Sequence, residues 1–212
     1  MATIRELKTQ IENANTLGRT NLSEKGVELP ETATTYDIMS KIADVTSGGV
    51  ASEGNYAEAF NALYNASFMN SNIERIDFYI ANPFTTHNGC FRGTSKLKYI
   101  KGINMSQSKN MGLMFSGSGI EVIEEPLDIS LVTMTSNAFA CDNLREIRFV
   151  PETINRTLDF SRCSKLSAQS IQSIIDGLAT VTATQALKIN SAIILTDEQK
   201  ASITSKGWTL AQ

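Results

Sequence analysis

The chain has 212 residues, 42% of them apolar, enough for one or two domains with a real core. Its net charge of -3 shows no strong bias, which argues against nucleic acid as the main partner. One histidine and three cysteines without a CxxC pair exclude most zinc sites and most Ser/His/Asp schemes, so no metal, cofactor or catalytic residue is expected.

No run of about 18 apolar residues occurs, so membrane insertion is not expected. The N-terminus has no apolar h-region, and no secretory signal is expected there. The cysteines Cys90, Cys141 and Cys163 are odd in number and widely spaced, which fits synthesis in a reducing compartment.

Residues 1–46 read as a helical segment. Thr3-Ile4-Arg5-Glu6 has the form of a capping box, and Ile4, Leu7, Ile11 and Ala14 follow at helical spacing. Gly26 and Pro30 then break the pattern, beside Leu29. A second helix is expected from Thr35 to Val45, with Tyr36, Met39 and Ile42 on one face. Two short helices bury little by themselves. They dock either on another chain or on the downstream part of this one. Residues 47–55, rich in glycine and serine, read as a linker.

From residue 56 to 160 the sequence repeats. Phe91, Phe115 and Phe139 lie 24 residues apart, and Phe68 lies 23 before the first of them. Five or six residues after each comes an aliphatic residue, and three later an isoleucine: Ile73/Ile76, Leu97/Ile100, Ile120/Ile123 and Leu144/Ile147. A period in the twenties predicts stacked turns around a continuous core. A second short strand per turn is expected at Phe78-Tyr79-Ile80, Ile103-Asn104-Met105 and Leu127-Asp128-Ile129.

Residues 161–212 change period and read as an α/β cap. Leu158-Asp-Phe160 matches Leu127-Asp-Ile129, so Phe160 reads as strand rather than as a fifth repeat phenylalanine. Ser167 caps a helix carrying Ile171, Ile174, Ile175 and Leu178. Leu187-Lys-Ile189 reads as strand, Thr196-Asp-Glu-Gln199 opens a second helix, Gly207 ends it, and Trp208-Thr-Leu210 is a last strand. The expected fold class is α+β: a β-rich repeat solenoid, an α/β C-terminal cap and a short N-terminal helical docking segment.

The unit Phe139-Ala-Cys141-Asp-Asn-Leu144-Arg-Glu-Ile147 resembles the BspA-type leucine-rich repeat. The stretch from Gly26 to Ile42 resembles segments near the start of bacteriophage tail, baseplate or fibre proteins. Leu166 to Leu178, 195–200 and 206–211 resemble the ends of such proteins. The resemblance implies a non-enzymatic virion structural protein, assembled in the bacterial host cytoplasm. Ile4, Leu7, Ile11, Leu29, Pro30, Tyr36, Met39 and Ile42 would dock it on other virion proteins and help it oligomerise. The repeat, cored by Phe68, Phe91, Phe115, Phe139, Leu97, Ile100, Leu144 and Ile147, would bind host cell-surface glycan or protein, or a neighbouring virion protein. Threefold symmetry is common in such fibres, so a trimer is the expected homo-oligomer. A capsid decoration or head fibre, a non-virion surface adhesin and a glycan-degrading tail enzyme are the alternatives.

The chemistry-bearing residues have structural readings. Cys141 and Cys163 share a column three residues before an aliphatic with Asn70, Thr94 and Gly117, a place for small residues at a bend. His87 reads as a loop histidine. Gly117-Ser-Gly119 lacks the Lys-Ser/Thr of a phosphate loop and reads as a turn. Glu121, Glu124, Glu125 and Asp128 do not have EF-hand spacing. Instead, Glu74/Lys98/Glu121/Arg145 and Asp77/Lys101/Glu124/Arg148 form two columns of alternating sign. Each charge is expected to pair with its opposite on the adjacent turn and so fix the register of stacking.

Overall fold

The computed structural model describes residues Thr16, Arg19, Thr20, Leu22, Ser23, 68–80 and 84–212. Ile4, Leu7, Ile11, Leu29, Pro30, Tyr36, Met39 and Ile42, with the linker at 47–55, lie outside the described residues. Leu22 is helical and fully buried, and it joins the hydrophobic cluster of the repeat.

Over the described residues the fold is mixed α/β, with two three-stranded parallel sheets and, from residue 68 on, two helices. The first sheet holds β1 (Arg75–Ile80), β2 (Tyr99–Ile103) and β3 (Val122–Ile123), in sequence order. Ile76 pairs with Ile100, and Ile100 with Ile123, so the repeat isoleucines set the register. The alternation that buries these isoleucines turns their neighbours outward. The separate second strands expected at 78–80, 103–105 and 127–129 do not form. Residues 78–80 complete β1, Ile103 ends β2, and Leu127 makes only a single bridge with Phe149.

Between strands the backbone bonds from turn to turn. Gly89, Phe91 and Gly93 donate forward to the carbonyls of Gly112, Met114 and Ser116. Met111, Leu113, Phe115 and Gly117 do the same to Met134, Ser136, Ala138 and Ala140. On the strand side the direction reverses: Lys98 donates back to Glu74, Glu121 to Lys98 and Arg145 to Glu121. Every turn is therefore bonded on both sides to its neighbours, which satisfies backbone that has little regular secondary structure.

The phenylalanines form the spine of the core. Rings of Phe68/Phe91, Phe91/Phe115 and Phe115/Phe139 stack at 5.2, 5.4 and 5.9 Å, within 16° of parallel. Phe160 continues the column at 4.8 Å from Phe139. It is both strand and fifth ring, contrary to the sequence reading. Its spacing of 21 residues from Phe139 hides an equivalence that the packing restores.

Left-handed backbone brackets these rings. Gly89, Leu113 and Asn137 precede their phenylalanine by two residues with φ of 61, 57 and 54°. Asn70, Gly93 and Gly117 follow theirs by two with φ of 59, 70 and 68°. The bend column thus contains Gly93, not Thr94. The extra residue of that turn lies after the bend and displaces the count made from the aliphatic side. It also presses the Ser95 carbonyl against Gly119, where a Cβ would collide. Glycine is required there by close approach of backbone.

The second sheet holds β4 (Leu158–Phe160), β5 (Gln185–Ile189) and β6 (Trp208–Ala211), all parallel. Helix α1 (Ala168–Gly177) joins β4 to β5, and α2 (Asp197–Ser205) joins β5 to β6. This is the strand–helix order expected from the sequence. Ser167 accepts from Ser170 N–H at the start of α1, and Thr196 and Gln199 close a capping box on α2. Lys206 donates to the carbonyls of Ile175, Asp176 and Leu178, satisfying the open end of α1.

Helix α1 also takes the place of a strand beside the fourth turn. Ile147 N–H donates to Ser170 Oγ at 2.9 Å and Phe149 N–H to Ser173 Oγ at 3.0 Å. Ser170 Oγ in turn donates to the Arg145 carbonyl. Serine hydroxyls on one helical face thereby satisfy the amides of a strand-like edge. One hydrophobic cluster runs from Leu22 and Phe68 to Trp208, with no break near residue 160.

Candidate functional site

The eight repeat-core residues are all buried as expected, Phe68 at 5% exposure and the other seven at 0%. What they present to solvent is the outer face of β1–β3 and the strand-like stretch at 145–148. Three columns of side chains cross it. Backbone bonds align Glu74, Lys98, Glu121 and Arg145. Paired registers align Arg75, Tyr99, Val122 and Glu146. One residue past the isoleucines stand Asp77, Lys101, Glu124 and Arg148. All twelve are exposed or half-buried.

The expected charge ladders are realised only in part. Lys98 Nζ and Glu121 pair across turns at 2.9 Å, and that bond holds the Glu121 carboxyl below its usual range. Arg145 turns instead to Glu146 of its own row, at 2.8 Å. Arg75 pairs with Asp77, also within its row, and lies over the Tyr99 ring, 3.8 Å from its centroid. Among the described residues no ion pair joins Asp77, Lys101, Glu124 and Arg148 along the stack. Glu124 takes the Tyr99 hydroxyl. Burial, then this hydrogen bond, push the Tyr99 hydroxyl up to about 12. Long side chains find the nearest partner, and in three cases that partner is in the same row or is a tyrosine rather than the predicted charge.

Tyr79, 41% exposed, lies across Gly102, its register partner, toward Glu125. Burial, then Glu125 and Asp128, raise its hydroxyl. Aromatic faces flanked by carboxylates and lysines can bind by stacking and by hydrogen bonding at once. The sequence reading counted the two charge columns but missed the central column with Tyr99, and Tyr79 further along β1. The signal was available, because Arg75 and Tyr99 each directly precede a repeat isoleucine.

Cross-turn polar contacts also occur on other surfaces. Asp142 accepts two bonds from Arg162, at 2.9 and 2.8 Å, and Asp159 pairs with Lys188 at 3.0 Å. A cleft of about 40 Å³ between Asn137, Ala140, Asp159 and Arg162 has room for little more than water.

The remaining chemistry-bearing residues point inward. Cys90, Cys141 and Cys163 are buried and free. Cys163 donates to the carbonyls of Phe139 and Cys141, and contact with the Cys141 thiol and burial raise its own thiol far above the usual range. A thiol so held is a poor nucleophile. His87 lies in irregular chain, as read from the sequence, but its side chain is buried. It is 2% exposed, with Nδ1 3.1 Å from Ser108 Oγ and Phe84 edge-on to its ring. Nε2 is buried without a hydrogen-bond partner, and burial lowers the imidazole to about 4. Glu121 and Glu124 are engaged by Lys98 and Tyr99, and no group of three metal-binding side chains occurs among the described residues.

No protein family, curated protein or solved structure matches this chain. Among the described residues no helix is long and apolar enough to cross a membrane.

Proposed function

We propose that the stacked turns are a leucine-rich-repeat-type solenoid and that the chain is a non-enzymatic bacteriophage virion protein of the tail, baseplate or a fibre. Residues 1–46 dock it on other virion proteins and assemble it as a homo-oligomer, with a trimer as the working stoichiometry. The repeat presents its outer face to host-surface glycan or protein, or to a neighbouring virion protein. One observation carries this reading: among the described residues, a four-row face of charges and two tyrosines backed by a continuous phenylalanine spine. Its chemistry suits recognition, since Asp77, Glu121, Glu124, Glu146 and Tyr99 are held by neighbouring side chains and the described thiols and imidazole lie in the core. The sequence resemblance supplies the virion context.

The test is location. Virions carrying an affinity label on this chain should show it at a fixed number of sites on the tail or baseplate by gold-labelled electron microscopy. Label on the head would move the chain to a decoration or head-fibre role. Label confined to the host cell envelope, with none on virions, would replace this reading with a surface adhesin.

A further inference from the structure

The order of charges on the outer face has a property that no single column reveals. Read from the first row to the fourth, the Glu74 and Asp77 columns both run minus, plus, minus, plus. The central column runs plus, Tyr99, Val122, minus. Reverse the order of the rows and every sign in all three columns inverts. The two central neutral residues exchange places. The face is therefore complementary to itself when a second copy meets it with its rows reversed.

A two-fold axis parallel to the strands, lying between the second and third rows, performs this reversal. It brings row two onto row three of the partner and row one onto row four. Lys98 then meets a partner Glu121, Asp77 a partner Arg148, Arg75 a partner Glu146, and Tyr99 packs on a partner Val122. The other face-to-face axis, along the stack, sets each row on itself and opposes like charges throughout. Isologous contact is the ordinary geometry of homodimers, and charge order selects among its possible registers. Row number matters too. With an odd count the middle row would face itself, whereas the described residues hold four rows, with helix α1 in place of a strand after the fourth.

We infer that this face is a homotypic docking surface, on which a second copy of the chain binds antiparallel in row order. This holds whether or not the chain is a virion component. Four rows about 4.8 Å apart give a patch well under the roughly 800 Å² per partner of a stable interface. The association is accordingly weak and salt-sensitive.

Sedimentation velocity on the full chain tests this. At high protein concentration a larger species should form at about 20 mM salt and be lost at about 500 mM, with the dissociation constant rising at least about tenfold. The double variant Lys98→Glu/Lys101→Glu should not form it, nor should Glu121→Lys/Glu124→Lys. An equal mixture of the two should restore it, because each mutated row then meets its new opposite. Asp77→Lys and Arg148→Glu, in the outer rows, should behave the same way and decide the matter if either double variant melts early. Residues 1–46 are unchanged in all of these, so assembly through that segment persists at high salt and is read separately. A wild type with the same mass at both salts, single variants that associate as well as wild type, or a mixture that stays dissociated would each overturn the inference.

Discussion

His87 gives the sharpest prediction about stability, because its ring is buried and no charged group acts on it. Burial alone lowers it from 6.5 to about 4. In the unfolded chain the imidazole takes up a proton as the pH falls through about 6.5, whereas in the folded chain it does so only near about 4. Between those values the unfolded state binds more protons, so stability rises with pH and is lost on acidification. The gap corresponds to about 3 kcal/mol when both states have titrated, of which about 2 kcal/mol is already lost at about pH 5. His87→Gln keeps a hydrogen-bonding side chain of similar size but does not titrate. Urea unfolding of both proteins across this range, taken as a difference, cancels the carboxylates that also titrate. The difference should be flat at neutral pH and shift by about 2 kcal/mol against the wild type at about pH 5. As the chain has one histidine, a single imidazole proton resonance reports its pKa directly. A resonance titrating near 6.5 in the folded protein, or a flat difference throughout, would refute the reasoning.

Other substitutions probe the stack. Lys98→Glu places two carboxylates beside each other at an exposed rung and should lower stability by about 0.2–1 kcal/mol, with Glu121→Lys restoring part of it in the melting temperature. Additive effects in the double variant would remove the rung from the account. Ser170→Ala leaves the buried Ile147 amide without its acceptor, at a cost of about 1–3 kcal/mol; exchange of that amide should speed up more than exchange at Ile76 or Ile100. Gly119→Ala forces a methyl into the Ser95 carbonyl and should cost more than Gly89→Ala, where the Cβ meets no closer atom than 3.9 Å and the cost is that of the left-handed backbone alone. Equal losses in chemical denaturation would refute the close approach at Gly119. Phe115→Ala opens a cavity in the middle of the ring column, with an expected loss of about 3–5 kcal/mol by the same assay.

Much of the scaffold was legible because it is written in large, periodic side chains. Four phenylalanines in register and their aliphatic partners predict which residues fill the core, and capping residues predict both helices of the second sheet. What failed was whatever depends on backbone path or side-chain choice. Leu113 adopts a left-handed conformation that its residue type does not announce. Thr94 was assigned to a bend that Gly93 makes, because the inserted residue lies between the two landmarks used for counting. Phe160 looked like strand alone because its spacing breaks the period. His87 sits among threonine, asparagine and glycine, a composition that reads as loop and does not reveal that the ring is buried, edge-on to Phe84. At the candidate face two of the three columns were legible and their pairings were not, since flexible arginines and a tyrosine compete for the same carboxylates.

The serine-bearing side of helix α1 has a consequence for growth of the sheet. A strand that ends a sheet with free amides is a template, and further strands can add to it without limit from other copies. Here the amides of Ile147 and Phe149 are occupied by hydroxyls rather than by another backbone. A helix advances about 1.5 Å per residue and a strand about 3.3 Å, so α1 matches two amides and cannot hand the pattern on. The stack therefore carries its own stop signal on that side. Its length is set by the chain, and that edge cannot seed a fibril.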